Sequence, residues 1–181
     1  MKKLIKILFC FILIASVLCT MPAYANYNAV YEKSLTDCGD NPIYAQIYLL
    51  VNLDNDTVIF EKDADKQAAP ASLTKIMTAT VVLENCKDLD EEVEASYEAI
   101  HLLDGTGSSI VGLEPGEKMS IKNLLYCLLV RSGNDAANVL AMHVGGSIEG
   151  FVKMMNDKAA ALGCKNTHFA NVHGLDDPNH Y

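Results

Sequence analysis

Residues 124–144 read LLYCLLVRSGNDAANVLAMHV, two apolar runs with a polar triplet between them. Leu124, Leu125, Leu128 and Leu129 precede the triplet, and Ala137, Leu140, Ala141 and Val144 follow it. Both sets fall at three- and four-residue spacings, the signature of helices with one apolar face. The chain must therefore fold around two helices joined by a bend at Ser132-Gly133-Asn134. Gly and a Ser/Asn pair weaken a helix, and a plain turn can use almost any polar residues. The bend is either a hinge or a place where a hydroxyl and an amide are presented to something.

The first 25 residues stand apart from this fold. MKKLIK is a basic leader, Ile7 to Leu18 is an apolar core and Ala23-Tyr24-Ala25 is a small-residue cleavage site, together a secretory signal peptide over 1–25. The apolar core is too short to span a membrane. Leu18 stands where lipid attachment at Cys19 wants a small residue. Cleavage after Ala25 leaves 156 residues, enough for one domain with a real core. It removes Lys2, Lys3 and Lys6 and takes the formal charge from −9 to −12, which argues against nucleic acid as a partner. Four cysteines remain, Cys38, Cys86, Cys127 and Cys164, without the close pairing of a zinc site or the density of a disulfide scaffold. Cys127 and Cys164 read as small buried hydrophobes. No histidine pair has metal-binding helical spacing, so no metal is expected.

Residues 26–41 are polar and aperiodic, an extended arm. Ile47, Leu49, Val51 and Leu53 then alternate, and Val58 to Phe60 return after Asp54-Asn55-Asp56, which predicts a β-hairpin. SLTKIMTATVVLEN predicts an amphipathic helix with Ile76, Met77, Thr80, Val81 and Leu83 on its apolar side. Asp88 to Glu94 reads as solvated surface, and residues 104–120 as a Gly-rich loop region without a phosphate-binding pattern. Ser120 caps the helix before the bend, and the helix after it ends at Gly145-Gly146. Ser147 caps a third helix that buries Ile148, Phe151, Val152, Met155, Ala159 and Leu162 and stops at Gly163. Residues 166–181 have no helical or strand period.

Ser72 and Lys75 carry the chemical signal. Spaced i, i+3 on a helix, their side chains start about 5–6 Å apart. The helix start has N–H groups without internal partners, and its positive end disfavours an ammonium. A hydroxyl, a neighbouring base and free N–H groups suited to an oxyanion thus stand together. Alone the spacing is weak, because Ser72 also suits a helix cap and Lys75 a solvated first turn. The bend supplies what a Ser-Lys pair lacks: Ser132 for proton relay and Asn134 to hold a peptide bond, with Gly133 letting both face one cleft. Ser-x-x-Lys followed by Ser-x-Asn is the leading part of the motif set of penicillin-binding proteins and β-lactamases.

APASLTKIMTATVVLE, GSSIVGLEPGEKMSIKNLLYCLLVRSGNDAANVLA, FVKMMNDKAAALG and NTHFANVHGLDDPNHY closely resemble the D-alanyl-D-alanine carboxypeptidase family, the low-molecular-mass penicillin-binding proteins. The resemblance runs from about Pro42 to Tyr181. It implies an α+β fold, a β-lactamase/transpeptidase-like domain over 42–181 with a helical lobe and the first hairpin of an antiparallel sheet. It implies that Ser72 is the acyl-enzyme nucleophile, Lys75 its general base, Ser132 the proton relay and Asn134 the contact to the substrate peptide. The family removes the terminal D-Ala from peptidoglycan stem peptides ending in D-Ala-D-Ala, without metal or cofactor, and β-lactams trap its serine. The expected location is therefore outside the cytoplasm, at the cell wall.

The family's third motif, Lys-Thr-Gly on an inner strand, is absent from these 181 residues, as are the remaining strands and any membrane anchor. A C-terminally incomplete copy is the expectation, with full activity only in a longer protein. An inactive remnant that binds wall peptides is the alternative. A β-lactamase is disfavoured by Ser-Gly-Asn in place of Ser-Asp-Asn. Val172 also departs from the proline usual before His-Gly-Leu.

Overall fold

The computed structural model describes residues 44–181; the signal peptide over 1–25, the arm over 26–41 and Cys38 lie outside the described residues. Two units result, one ending at Lys66 and one spanning Gln67–Tyr181. The first contains the expected hairpin. Strand β1, Tyr48–Asn52, pairs antiparallel with β2, Thr57–Lys62, and a bulge between Leu50 and Val51 leaves Ile59 unpaired. Asn52 and Asn55 side chains accept the N–H groups of Asp54 and Thr57, so the turn closes on its own polar residues.

The second unit begins with a short 3-10 turn, Ala71–Leu73, that runs into helix α1, Thr74–Asn85. Strand β3, Glu92–Glu94, helix α2, Tyr97–His101, and strand β4, Lys118–Ser120, follow. Three helices then complete the unit: α3, Ile121–Val130, α4, Asn134–Gly145, and α5, Ile148–Ala161. The helix–bend–helix reading holds, including the Ser120 and Ser147 caps, whose hydroxyls accept the N–H groups of Asn123 and Gly150. Gly146 and Gly163 take positive φ just past α4 and near the end of α5.

Helix α4 is the axis of the unit. Its first eight residues, Asn134 to Ala141, are all buried, the pattern of a helix enclosed on every side. It packs against α1, α2, α3, α5 and β3. Ala136, Ala137 and Ala141 keep the contact surface low, and Leu128, Leu140, Phe151 and Met155 fill the space between helices. Asn138 is tolerated there because its amide donates to the Ala99 carbonyl.

Several sequence expectations change. The acidic stretch is not merely solvated surface: Val93 is buried as β3 pairs with β4, Val93 facing Met119 in register. That pairing also makes a strand of the end of the Gly-rich region. Leu162 and Cys164, both past the end of α5 at Ala161, are exposed rather than buried, and Cys127 is only half-buried. Ile76 and Leu83 of α1 are 60% and 52% exposed, whereas Thr74, Lys75 and Thr78 point inward. The apolar count misplaced that face because α1 buries polar side chains with partners waiting for them. Among the described residues no helix is long and apolar enough to cross a membrane.

The core assignment predicts that Phe151→Ala lowers unfolding stability by about 3–5 kcal/mol, read from urea denaturation midpoints at unchanged slope. A loss below about 1 kcal/mol removes Phe151 from the centre of the packing.

Candidate active site

Ser72 lies in the 3-10 turn rather than within α1. Its hydroxyl caps no N–H group in that turn, so the capping role open to it from sequence is not taken. Lys75, one turn on, is 3% exposed. Its Nζ donates to Ser72 Oγ at 3.3 Å and to the His173 carbonyl at 2.8 Å. Burial pushes the Lys75 amine below its usual pKa. Among the described residues no carboxylate pairs with it, and its shortest hydrogen bond is to a neutral carbonyl. Desolvation therefore does the work that the sequence assigned to the helix end.

The bend comes to the same place. Ser132 Oγ donates to Ser72 Oγ at 3.1 Å, across sixty residues of sequence. Ser132, not Gly133, carries the positive φ of the bend, at 56°. Gly133 is extended, and what demands glycine there is space: a Cβ would stand 2.9 Å from Asp135 Oδ1 and 3.1 Å from Val111 Cγ1. Ser72, Lys75 and Ser132 open onto a cleft of about 310 Å³ that also touches Pro70, Ile76 and Leu129. A larger groove of about 560 Å³ beside α3, between Leu89, Leu125 and Val130, is mostly apolar and has no such cluster.

Asn134 stands differently. It is 4% exposed at the first position of α4, its N–H donates to the Ser109 carbonyl, and its Oδ1 has no hydrogen-bond partner among the described residues. A buried amide oxygen without a donor costs about 1–3 kcal/mol. The structure thus brings Ser72, Lys75 and Ser132 into one hydrogen-bonded cluster and leaves Asn134 next to it with a spare acceptor.

Sequence reading missed the residues that hold this cluster. Asp135 is 2% exposed, and its carboxylate accepts the N–H groups of Val111, Gly112 and Leu113 at 2.8–3.0 Å. Ser109 Oγ donates to the Arg131 carbonyl, so the loop over 109–113 is zipped to the bend from both sides. Residues 172–174 back α1 from behind. The Val172 carbonyl accepts Thr78 Oγ1 at 2.6 Å, and Gly174, at φ +94°, lies so close to the Ala71 carbonyl that any Cβ would overlap it. Only the buried aspartate following Asn134 was discoverable in sequence, as a charge inside an apolar helix. The irregular segment over 166–181 carried no periodic signal.

His173 lies beside Lys75, and its imidazole pKa is lowered to about 4, first by burial, then by the Lys75 charge and by His180. An unfolded histidine takes up its proton near pH 6.5. Between pH 6.5 and about 4 the unfolded chain therefore binds more protons than the folded one, and stability falls as pH drops through that window. Melting temperatures measured from pH 7.5 to 4.5 should decline over this range, and His173→Asn should flatten the decline. A profile level down to pH 4.5 in the unaltered protein contradicts the burial of a neutral imidazole.

A family model described as D-alanyl-D-alanine carboxypeptidase matches residues 34–181. The D-alanyl-D-alanine carboxypeptidase DacF of Bacillus subtilis is 39% identical over 141 residues, covering 76% of this chain and 35% of that protein. Among solved structures, a mutant of a Streptomyces DD-transpeptidase superposes with a TM-score of 0.74 at 32% identity, over 78% of this chain and 57% of that one. Penicillin binding protein 5 from Haemophilus influenzae gives 0.71 at 35% identity, over 78% of this chain and 42% of its own. The chain spans about a third of the length of the curated relatives it matches.

Proposed function

The chain belongs to the D-alanyl-D-alanine carboxypeptidase family, and from that membership we propose that the whole protein is a serine-type carboxypeptidase acting on peptidoglycan stem peptides that end in D-Ala-D-Ala. The observation that carries the reading is a hydroxyl within reach of two partners of different kinds. Ser72 Oγ is 3.3 Å from the Lys75 amine and 3.1 Å from Ser132 Oγ.

In the proposed reaction Lys75 acts as a neutral amine. One of its N–H bonds stays on the His173 carbonyl, which leaves the lone pair for the Ser72 proton. Ser72 Oγ attacks the carbonyl of the penultimate D-Ala, and its proton passes to Lys75 Nζ. The C–N bond to the terminal D-Ala then breaks. Ser132 hands a proton to the departing amine and takes back the one held on Lys75 Nζ. Water next attacks the ester, loses its proton to the same amine, and the C–O bond to Ser72 breaks, restoring the hydroxyl. Asn134 holds the substrate's peptide group beside this path, and a β-lactam follows the same first step but stays attached to Ser72. The leader over 1–25 would direct the protein out of the cytoplasm, with residues 26–41 as an arm before a catalytic domain that starts at residue 42 and includes the hairpin.

The complete protein should release D-Ala from a pentapeptide ending in D-Ala-D-Ala and form a covalent adduct with fluorescent penicillin. Ser72→Ala should abolish both, and Lys75→Ala should slow adduct formation by about 100-fold or more, the scale of a lost general base. Release that persists in Ser72→Ala would falsify the assignment of the nucleophile.

A further inference from the structure

His180 is a histidine that the proposed reaction leaves idle, and both of its ring nitrogens are hydrogen-bonded in the interior. It is 3% exposed, beneath the Phe169 ring in an edge-on contact with centroids 5.8 Å apart. The Ala170 N–H donates to its Nδ1 at 2.9 Å, so that nitrogen is an acceptor and carries no proton. The proton therefore sits on Nε2, which donates to Thr74 Oγ1 at 2.6 Å. Its surroundings are fixed in turn. Asn156 of α5 holds the Phe169 backbone through both its N–H and its carbonyl, and the N–H groups of His168 and Tyr181 donate to one another's carbonyls.

Thr74 lies between Ser72 and Lys75. With about 100° of rotation per residue, the roll of the first turn decides where both neighbours point. Two anchors one turn apart set that roll on the inward face: Thr74 to His180 and Thr78 to the Val172 carbonyl. The second anchor ends on main chain, whereas the first ends on a side chain. We infer that His180 is a positioning residue for the Ser72–Lys75 pair, acting through its Nε2 proton on Thr74. This rests on the proposed function only in calling the pair reactive; the geometry it controls is independent of substrate.

The two bonds of the imidazole can be separated. A glutamine amide nitrogen reaches the Nε2 position and can donate to Thr74, while giving up the bond from Ala170. An asparagine oxygen stands near Nδ1 and can accept from Ala170, while falling short of Thr74. Two readouts on the complete protein decide the matter: the Lys75 amine titrated by NMR of labelled lysine, and the rate of adduct formation with fluorescent penicillin. In His180→Gln, Lys75 should keep its lowered pKa and the rate should stay within about threefold. In His180→Asn, Lys75 should move back towards 10.5, and adduct formation should slow by about 10- to 100-fold, the scale of a misplaced reactive group. Phe151→Ala, which loosens the core away from the relay, should leave the Lys75 titration in place.

Three results overturn the inference: both His180 variants matching the unaltered protein, both shifting Lys75 alike, or Phe151→Ala shifting it as much. If the unaltered protein forms no adduct, or Ser72→Ala still does, it is the proposed function that fails. The Lys75 titration then still decides the role of His180.

Discussion

Helix α1 turns three polar side chains, Thr74, Lys75 and Thr78, into the protein and leaves Ile76 and Leu83 outside. Burying an unpaired hydroxyl costs several kcal/mol in an apolar setting, and an unpaired ammonium more. Helix α1 in this orientation therefore depends on partners behind it, and one stretch of irregular chain provides them. Val172 offers a carbonyl to Thr78, His173 a carbonyl to Lys75 and His180 an imidazole to Thr74. Gly174 then closes against Ala71. This is why Lys75 is buried without a carboxylate, and why the same burial favours its neutral form. A salt bridge at that position would instead favour the charged form.

The bend carrying Ser132 depends on a different buried group. Asp135 sits inside the first turn of the most enclosed helix and gathers the N–H groups of a loop twenty-odd residues upstream. A carboxylate there accepts several donors at once, in bonds roughly twice as strong as neutral ones. It is also near the N-terminus of α4, where negative charge is favoured. The loop answers through Ser109, which takes the Asn134 N–H on its carbonyl and gives its hydroxyl to Arg131. Two buried polar systems, one behind α1 and one behind the bend, thus meet at the 3.1 Å contact between Ser132 and Ser72. Phe151, Leu128 and Leu140 are fully enclosed in the apolar core beside these two systems.

The helices around the bend, their caps and the hairpin were legible because each repeats a local rule: apolar spacing, a serine before a helix, a turn of Asp and Asn. So was the meeting of Ser72, Lys75 and Ser132 in space, through motif spacing. The direction α1 faces was not. Its pattern offered Ile76 and Leu83 as core, and only long-range partners at 172–180 explain why polar residues won. Strands β3 and β4 are three residues each, too short for an alternating pattern to register, and each exists through the other. The cause of the lowered Lys75 pKa was also misread, because burial cannot be seen one residue at a time. Residues 166–181 illustrate the general difficulty: main-chain carbonyls do most of their work, and a carbonyl has no letter in a sequence.

Strain collects where the chemistry would occur. Ala71, just before Ser72, has φ +47°, and Ser132 has φ +56°; neither is glycine, and each such conformation costs on the order of 1 kcal/mol. The orphaned Asn134 Oδ1 lies in the same bend. Stability alone would favour glycine at 71 and 132 and an apolar residue at 134. A serine held at positive φ gains nothing for folding, but it sends Oγ across to Ser72 instead of along its own helix. The buried Asn134 amide oxygen without a partner is likewise a cost to folding. The surrounding network is rigid enough to hold all three, and the rigidity comes from the two polar systems rather than from the apolar core alone. Loosening either system would let Ala71 or Ser132 relax to negative φ, and the hydroxyls would part before the helices did.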